Sequence, residues 1–218
     1  MTALDARLRE QALRLVEAAQ AGDGTVAIVR AGHPVLRAGA LPYDGQLDAE
    51  ELAALVRVLH RTMRAAPGVG LAAPQVGLGL ALAVVEDAGV HDERVADVRE
   101  RAPLPLRVLV NPAYEALDDE LAAFYEGCLS VPGYQAVVGR HRRVRLTGYD
   151  ETGSAFDDEL VGWPARIAQH ETDHLRGTLY LDRAELRSLA ATDELGVRWA
   201  SEPRPEAASA ALGFTLPR

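Results

Sequence analysis

The segment His170-Glu171-Thr172-Asp173-His174 sets two imidazoles four positions apart, a spacing that puts both on one face of a helix where they can grip one metal ion. Glu171, beside the first imidazole, is placed to take a proton from a water that the ion has made acidic. With only 6 histidines in 218 residues, chance rarely writes this pattern, so hydrolytic metal chemistry outweighs a helix whose histidines are merely packed. Two imidazoles do not complete a site, and the sequence offers a third ligand on either side. Tyr180 stands where one class of metalloproteases needs a histidine, whereas Glu194 lies at the distance used by a second class. Upstream, Cys128 is the only cysteine; it cannot form an internal disulfide, and a lone cysteine is usually a small apolar filler.

The residues around that cysteine add information. Glu126-Gly127-Cys128-Leu129-Ser130, the histidine segment and Gly68-Val69-Gly70-Leu71-Ala72-Ala73-Pro74-Gln75 resemble, in order and spacing, the three signature motifs of the peptide deformylases, over residues 26–186. The resemblance implies Cys128, His170 and His174 as metal ligands, Glu171 as the acid/base, and Gln75 with the backbone N–H of Leu129 as the oxyanion site. It also implies Fe²⁺ as the native ion, with Zn²⁺, Ni²⁺ or Co²⁺ as replacements. The substrates it implies are N-formyl-Met peptides of new polypeptides, met near the ribosome and releasing formate. Gln135 stands where many such proteins carry Arg, a departure at a position where the resemblance implies contact with the substrate backbone.

Hydrolysing a formamide requires a nucleophile at neutral pH, a home for the oxyanion and a proton for the departing amine. A cation with one open position lowers the pKa of water from about 15.7 to about 7, and a half-dry carboxylate beside it can carry the proton in both directions. A Cys/His/His set suits several divalent ions, and spacing does not choose among them. Val69, Leu71, Trp163, Arg166 and Ile167 are the candidate walls of an apolar pocket for the Met side chain, Arg166 contributing its aliphatic stem, and an extended substrate is expected to lie as an added strand beside the Gly70 segment. Gly68 and Gly70 would let a substrate backbone approach closely, while Gly77 is read as either a turn or part of that approach. Two rivals remain: a zinc endopeptidase using Glu194, and a non-catalytic metal-stabilised binding module. The second would need four protein ligands and no base beside them.

The elements that must position these groups follow from pattern. With 48% hydrophobic residues the chain can bury one substantial core, so an α+β fold of one domain is expected, with mixed or antiparallel strands around a central metal-binding helix. Residues 1–25 read as an N-terminal helical extension, apolar at Leu8, Ala12, Leu15 and Val16. Residues 26–200 form the catalytic domain, and residues 201–218, rich in Pro and Ala, a loosely held tail. Strands are expected at 26–30, 80–85, 106–110, 135–138, 143–149 and 155–161. Helices are expected at 49–65, capped by Asp48, and at 163–176, ended by Gly177, with an exposed loop and a short helical piece across 87–105. Asp173 reads as an acceptor for a ligand imidazole or a surface carboxylate near Arg176. Arg140 to Arg145 read as the solvent face of a strand.

A formal charge of −9 argues against strong nucleic-acid binding, although all 23 basic residues are arginine. No apolar run is long enough for a membrane span, residues 1–15 lack the apolar core of a signal peptide, and a lone cysteine suits a reducing compartment. Together these make the cytoplasm the expected location.

Overall fold

A computed structural model describes residues 2–216 of the chain. Strands β1 (Gly70–Ala72), β2 (Leu82–Asp87), β3 (Leu104–Ala116), β6 (Arg143–Tyr149) and β7 (Ala155–Val161) pair in that order, all antiparallel. A second antiparallel sheet has the order β4 (Leu121–Cys128), β5 (Val131–His141), β8 (Ala184–Ala191).

The strand period of two gives the larger sheet two dry faces. Leu82 and Val84 turn, with Leu71, Val108 and Val110, toward helices α1 (Ala3–Ala21) and α2 (Ala49–Ala65). Ala83, Val85, Leu109 and Leu146 turn the other way, onto Ile167, Ala168 and Leu175 of helix α4 (Gly162–Leu175). Helix α4 also touches β5, so it packs on both sheets. Alternation on β5 extends the layering. Ala136 and Val138 pack with Tyr180 and Cys128, while Val137 faces Ala208 and Phe214.

Local chemistry sets the helix ends. Asp48 caps α2 by accepting from the backbone N–H of Glu50 and Glu51, and Glu51 returns a bond to Asp48 N at 3.0 Å, a reciprocal capping box. Glu51 also pairs with Arg9, tying α2 to α1. Leu8, Ala12, Val16 and Ala19 of α1 are buried in the first core, so the N-terminal helix packs as part of it. Helix α3 (Glu93–Arg99) is the short helical piece in the 87–105 segment.

Several expectations change. Residues 26–30 join no sheet; Val29 N–H donates to Gln75 O and Ala31 N–H to Ser130 O, both at 2.8 Å, so the segment ties two motif loops together. Strands β4 and β8 were not expected. Small residues blur the alternation of β4, and β8 has the composition of a helix, so pairing with β5 decides both. The expected loose tail contains α6 (Glu206–Leu212) and buries Ala208 and Phe214 against β5, following α5 (Thr192–Arg198); its last two residues lie outside those described.

Gly177 ends α4 as expected, with φ +75° and the Arg37 carbonyl 2.7 Å from where a Cβ would stand. Gly153, in the hairpin turn after β6, has φ +83° but nothing within 4 Å. Gly153→Ala should therefore cost about 1 kcal/mol of strain, and Gly177→Ala about 2–4 kcal/mol, a Tm lower by roughly 5–10 °C. Equal losses in thermal unfolding of the two variants would show that the close approach at Gly177 is not limiting.

Candidate active site

Helix α4 presents His170 and His174 one turn apart, their rings 4.9 Å between centroids at 71°. Strand β4 delivers Cys128 from its last position, where a register shift between Gly127 and Cys128 ends the ladder. Candidate ligand atoms of Cys128, His170 and His174 all lie within 4.8 Å of one another, and Cys128 Sγ is 3.2 Å from His174 Nε2. No other group of this kind occurs among the described residues. Glu194 is not part of it; it lies on α5, exposed and paired with Arg198 at 2.6 Å.

The donors suit a divalent cation. His170 Nδ1 is 2.6 Å from Glu126 Oε1, and since a carboxylate only accepts, the proton sits on Nδ1 and the Nε2 lone pair is free to face a cation. Burial keeps the pKa of His174 well below that of a free imidazole, so it stays neutral with a lone pair to give.

Glu126 was read only as part of the cysteine motif, and it is the hub beneath the site. Arg140 donates to both its oxygens, at 2.8 and 2.6 Å, and Arg166 Nη1 to Oε2 at 2.8 Å. Burial alone would raise the pKa of Glu126, but Arg140 and His170 outweigh it and hold the carboxyl well below its usual range. Arg140 therefore does not lie on a solvent face. It is in phase with buried Ala136 and Val138 on β5, the signal that could have found it, and its third nitrogen donates to Asp173 at 2.8 Å. Arg142, Arg143 and Arg145 pair with carboxylates nearer the surface, as a solvent face would.

Asp173 fits neither expected role. It is buried and accepts from Arg140, from Arg183 at 2.7 and 3.0 Å, and from the Tyr114 hydroxyl at 3.0 Å, while Arg176 lies over the Tyr114 ring. Arg166 offers more than its stem, because its buried guanidinium also donates to the Val138 and Ala122 carbonyls.

Glu171 is buried, and desolvation pushes its pKa up to about 7. Its Oε2 has no partner within the protein, a polar atom waiting for a group the fold does not supply. Gly70 makes room for it: a Cβ there would fall 2.2 Å from Glu171 Oε1. Gly68 likewise makes room for Leu129, whose Cδ1 would be 2.7 Å from an added Cβ. These glycines thus accommodate the protein's own side chains, whatever they do for a substrate. Gly77, at φ +89°, ends the Ala73–Val76 turn.

Gln75 holds its own turn through Oε1, which accepts from Ala72 N–H at 2.8 Å. Its amide nitrogen points at the site, 3.5 Å from Cys128 Sγ and 3.4 Å from Ser130 Oγ.

A cleft of about 1070 Å³ opens over Cys128, His170, Glu171, Gln75 and Leu129. Of the candidate walls, Val69, Trp163, Arg166 and Ile167 line it, as does Gly70; Leu71 does not, being buried in the opposite core. Gln135 lines it beside Gly127. Arg99 and Tyr125 also line it, and no motif marked them.

Comparison with known proteins places this geometry in a family. The polypeptide deformylase family model matches residues 25–189. Peptide deformylase 3 of Streptomyces avermitilis is 63% identical over 202 residues, 93% of this chain and 90% of that protein. Peptide deformylase 1 of Streptomyces coelicolor is 58% identical, covering 93% and 92%. A crystal structure of the class I type b peptide deformylase from Acinetobacter baumannii, bound to Met-Ala-Ser, is 32% identical with a TM-score of 0.66, covering 73% of this chain and 98% of that one. The family match, the sequence identity and the shared fold converge: the chain belongs to the polypeptide deformylase family.

Proposed function

We propose that the chain removes the formyl group from N-terminal formyl-Met of nascent polypeptides, releasing formate. The observation that supports this best is the Cys128/His170/His174 cluster at the floor of the cleft, with the unpartnered Glu171 carboxylate beside it. Helix α4 is then the metal-binding helix. A divalent cation held by Cys128, His170 and His174, Fe²⁺ in the cell on this reading, supplies Lewis acidity to water and to the formyl oxygen.

The chain's own residues do the rest. Strands β1 and β4 are edge strands, and Gly70 and Gly127 both line the cleft, so an extended peptide can add there as a further strand. Val69, Trp163 and Ile167 give its first side chain an apolar wall. Glu171, with a pKa near neutrality, takes a proton from the attacking water; the new C–O bond forms, the C–N bond breaks, and Glu171 returns the proton to the amine nitrogen. Gln75 Nε2 and the Leu129 N–H donate to the developing oxyanion. The cytoplasm near the ribosome is the place this substrate implies, and no described helix is long and apolar enough to cross a membrane.

Formate release from a formyl-Met peptide, with metal analysis of the same protein, tests the reading; no formate from metal-loaded protein would sink it. Cys128→Ala should lose bound metal and activity together, because two imidazoles hold a divalent ion weakly. Glu171→Gln should keep its metal but lose about 10²–10⁴ in kcat; parallel loss of metal would reassign Glu171 as a ligand. Gln75→Leu should lower kcat and kcat/KM alike by about 10²–10³ with metal retained, and should lower Tm because Ala72 N–H loses its acceptor. Normal turnover at reduced Tm would make Gln75 purely structural.

A further inference from the structure

The cleft carries a charge imbalance that the hydrolytic chemistry leaves unused. Its two carboxylates are buried: Glu126 is committed to Arg140, Arg166 and His170, and Glu171 lies against Gly70. Its cationic side chains, imidazoles aside, are Arg30, Arg99 and Arg166, of which Arg166 is committed to Glu126. Among the described residues the other two pair with no carboxylate. Arg30 is exposed. Arg99 is half-buried, its guanidinium 4.9 Å from the Trp163 ring and 5.6 Å from that of Phe124, and its one hydrogen bond is from Nε to the Pro203 carbonyl at 3.4 Å. Burial and the neighbouring Arg101 push the pKa of Arg99 down, as expected of a cation short of a counterion, whereas Arg101 itself is paired with Asp87.

Aromatic faces compensate a half-dry guanidinium only in part, and a carboxylate would do more. The negative charges of a Cys128 thiolate and Glu171 are those a divalent cation balances, so they do not neutralise Arg30 or Arg99. A chain with a formal charge of −9 thus has a cleft with two unpaired cationic side chains.

We propose that Arg30 and Arg99 make this cleft favour formylated chains with an acidic residue shortly after the formylated one, and disfavour those with a basic residue there. The proposal rests on the deformylase reading and deepens it to a substrate class. A peptide added along Gly70 and Gly127 runs, at about 3.3 Å per residue, through a cleft that Arg30 and Arg99 also line, and an exposed charge is felt over roughly 8–10 Å. Arg99 should carry most of the effect because it is partly shielded from solvent, and Arg30 less.

The test measures kcat/KM on amidated formyl-Met-Xaa-Ala and formyl-Met-Ala-Xaa peptides with Xaa as Glu, Gln or Lys. In low salt Glu should exceed Lys by about tenfold at one position or both, with Gln between, and the ratio should fall toward one near about 0.5 M salt. R99Q and R30Q should each reduce the ratio and the double variant should abolish it. R99K, which keeps the charge, should retain most of it and serves if R99Q folds poorly. A Glu/Lys ratio at or below one in the wild type, or a ratio unchanged in the double variant, overturns the proposal. Absence of formate from every peptide would instead overturn the deformylase reading, and this proposal with it.

Discussion

One buried carboxylate organises the molecule. Glu126 sits on β4, two residues before Cys128, and accepts from Arg140 on β5 and from Arg166 and His170 on α4. Asp173, one turn further along α4, receives Arg140 as well, together with Arg183 and Tyr114 of β3. Arg166, His170 and Asp173 recur every three or four residues, so one stripe of the helix is clamped by charge at each turn. The two carboxylates and the two fully buried guanidiniums cancel, which is the condition for keeping four charges out of water. An apolar replacement could hold the elements together, yet it could not fix which nitrogen of His170 carries the proton. The network's specific contribution is orientation: it relates the strand that brings the thiol to the helix that brings the imidazoles.

The same arrangement separates two carboxylates that share a neighbourhood. Glu126, met by two arginines and an imidazole, is held anionic, whereas Glu171, buried and with no partner for Oε2, is raised to about 7. Environments that push the pKa values of two neighbouring acids apart in this way leave one a fixed anion and the other able to change protonation near neutral pH. Gly70 makes the second environment possible, because a methyl group at that position would occupy the volume of the Glu171 carboxylate. The glycine of the first motif and the glutamate of the third thus form a single packing unit, although 101 positions separate them in the sequence.

What could be read from the sequence was whatever is local. Helical spacing put His170 and His174 on one face, Asp48 announced α2, and β6 and β7 stand at the expected strands 143–149 and 155–161. The motif resemblance supplied Cys128 and Gln75, which spacing alone had left open. What stayed hidden depends on pairing between distant segments. Arg140 sits in a run of arginines that reads as solvent-facing, and only its phase with Ala136 and Val138 gives it away. Leu71 is misread for the converse reason: it belongs to a motif that lines the cleft, but the strand period turns it into the core behind. Arg99 lies on a short helix in a charged connection, and nothing local says that it reaches the Trp163 indole.

The C-terminal segment shows why a stretch that reads as loose can be needed. Strand β5 carries Ala136, Val138 and Arg140 toward α4, and Val137 away from it. A three-stranded sheet with one face open to water would leave the Arg140–Glu126 pair behind a single layer of backbone. Ala208 and Phe214 close the outer face over Val137, and Arg187 donates to the Leu212 carbonyl at 3.1 and 3.2 Å, fastening the end of α6 to β8. With Ala136, Val137 and Val138 buried, both faces of this stretch of β5 are covered, and the ion pairs beneath the site lie in a low dielectric, where they are strong. The tail therefore acts on the site through two layers: it keeps β5 dry, β5 keeps Arg140 buried, and Arg140 keeps Glu126 charged and in place to hold the Nδ1 proton of His170.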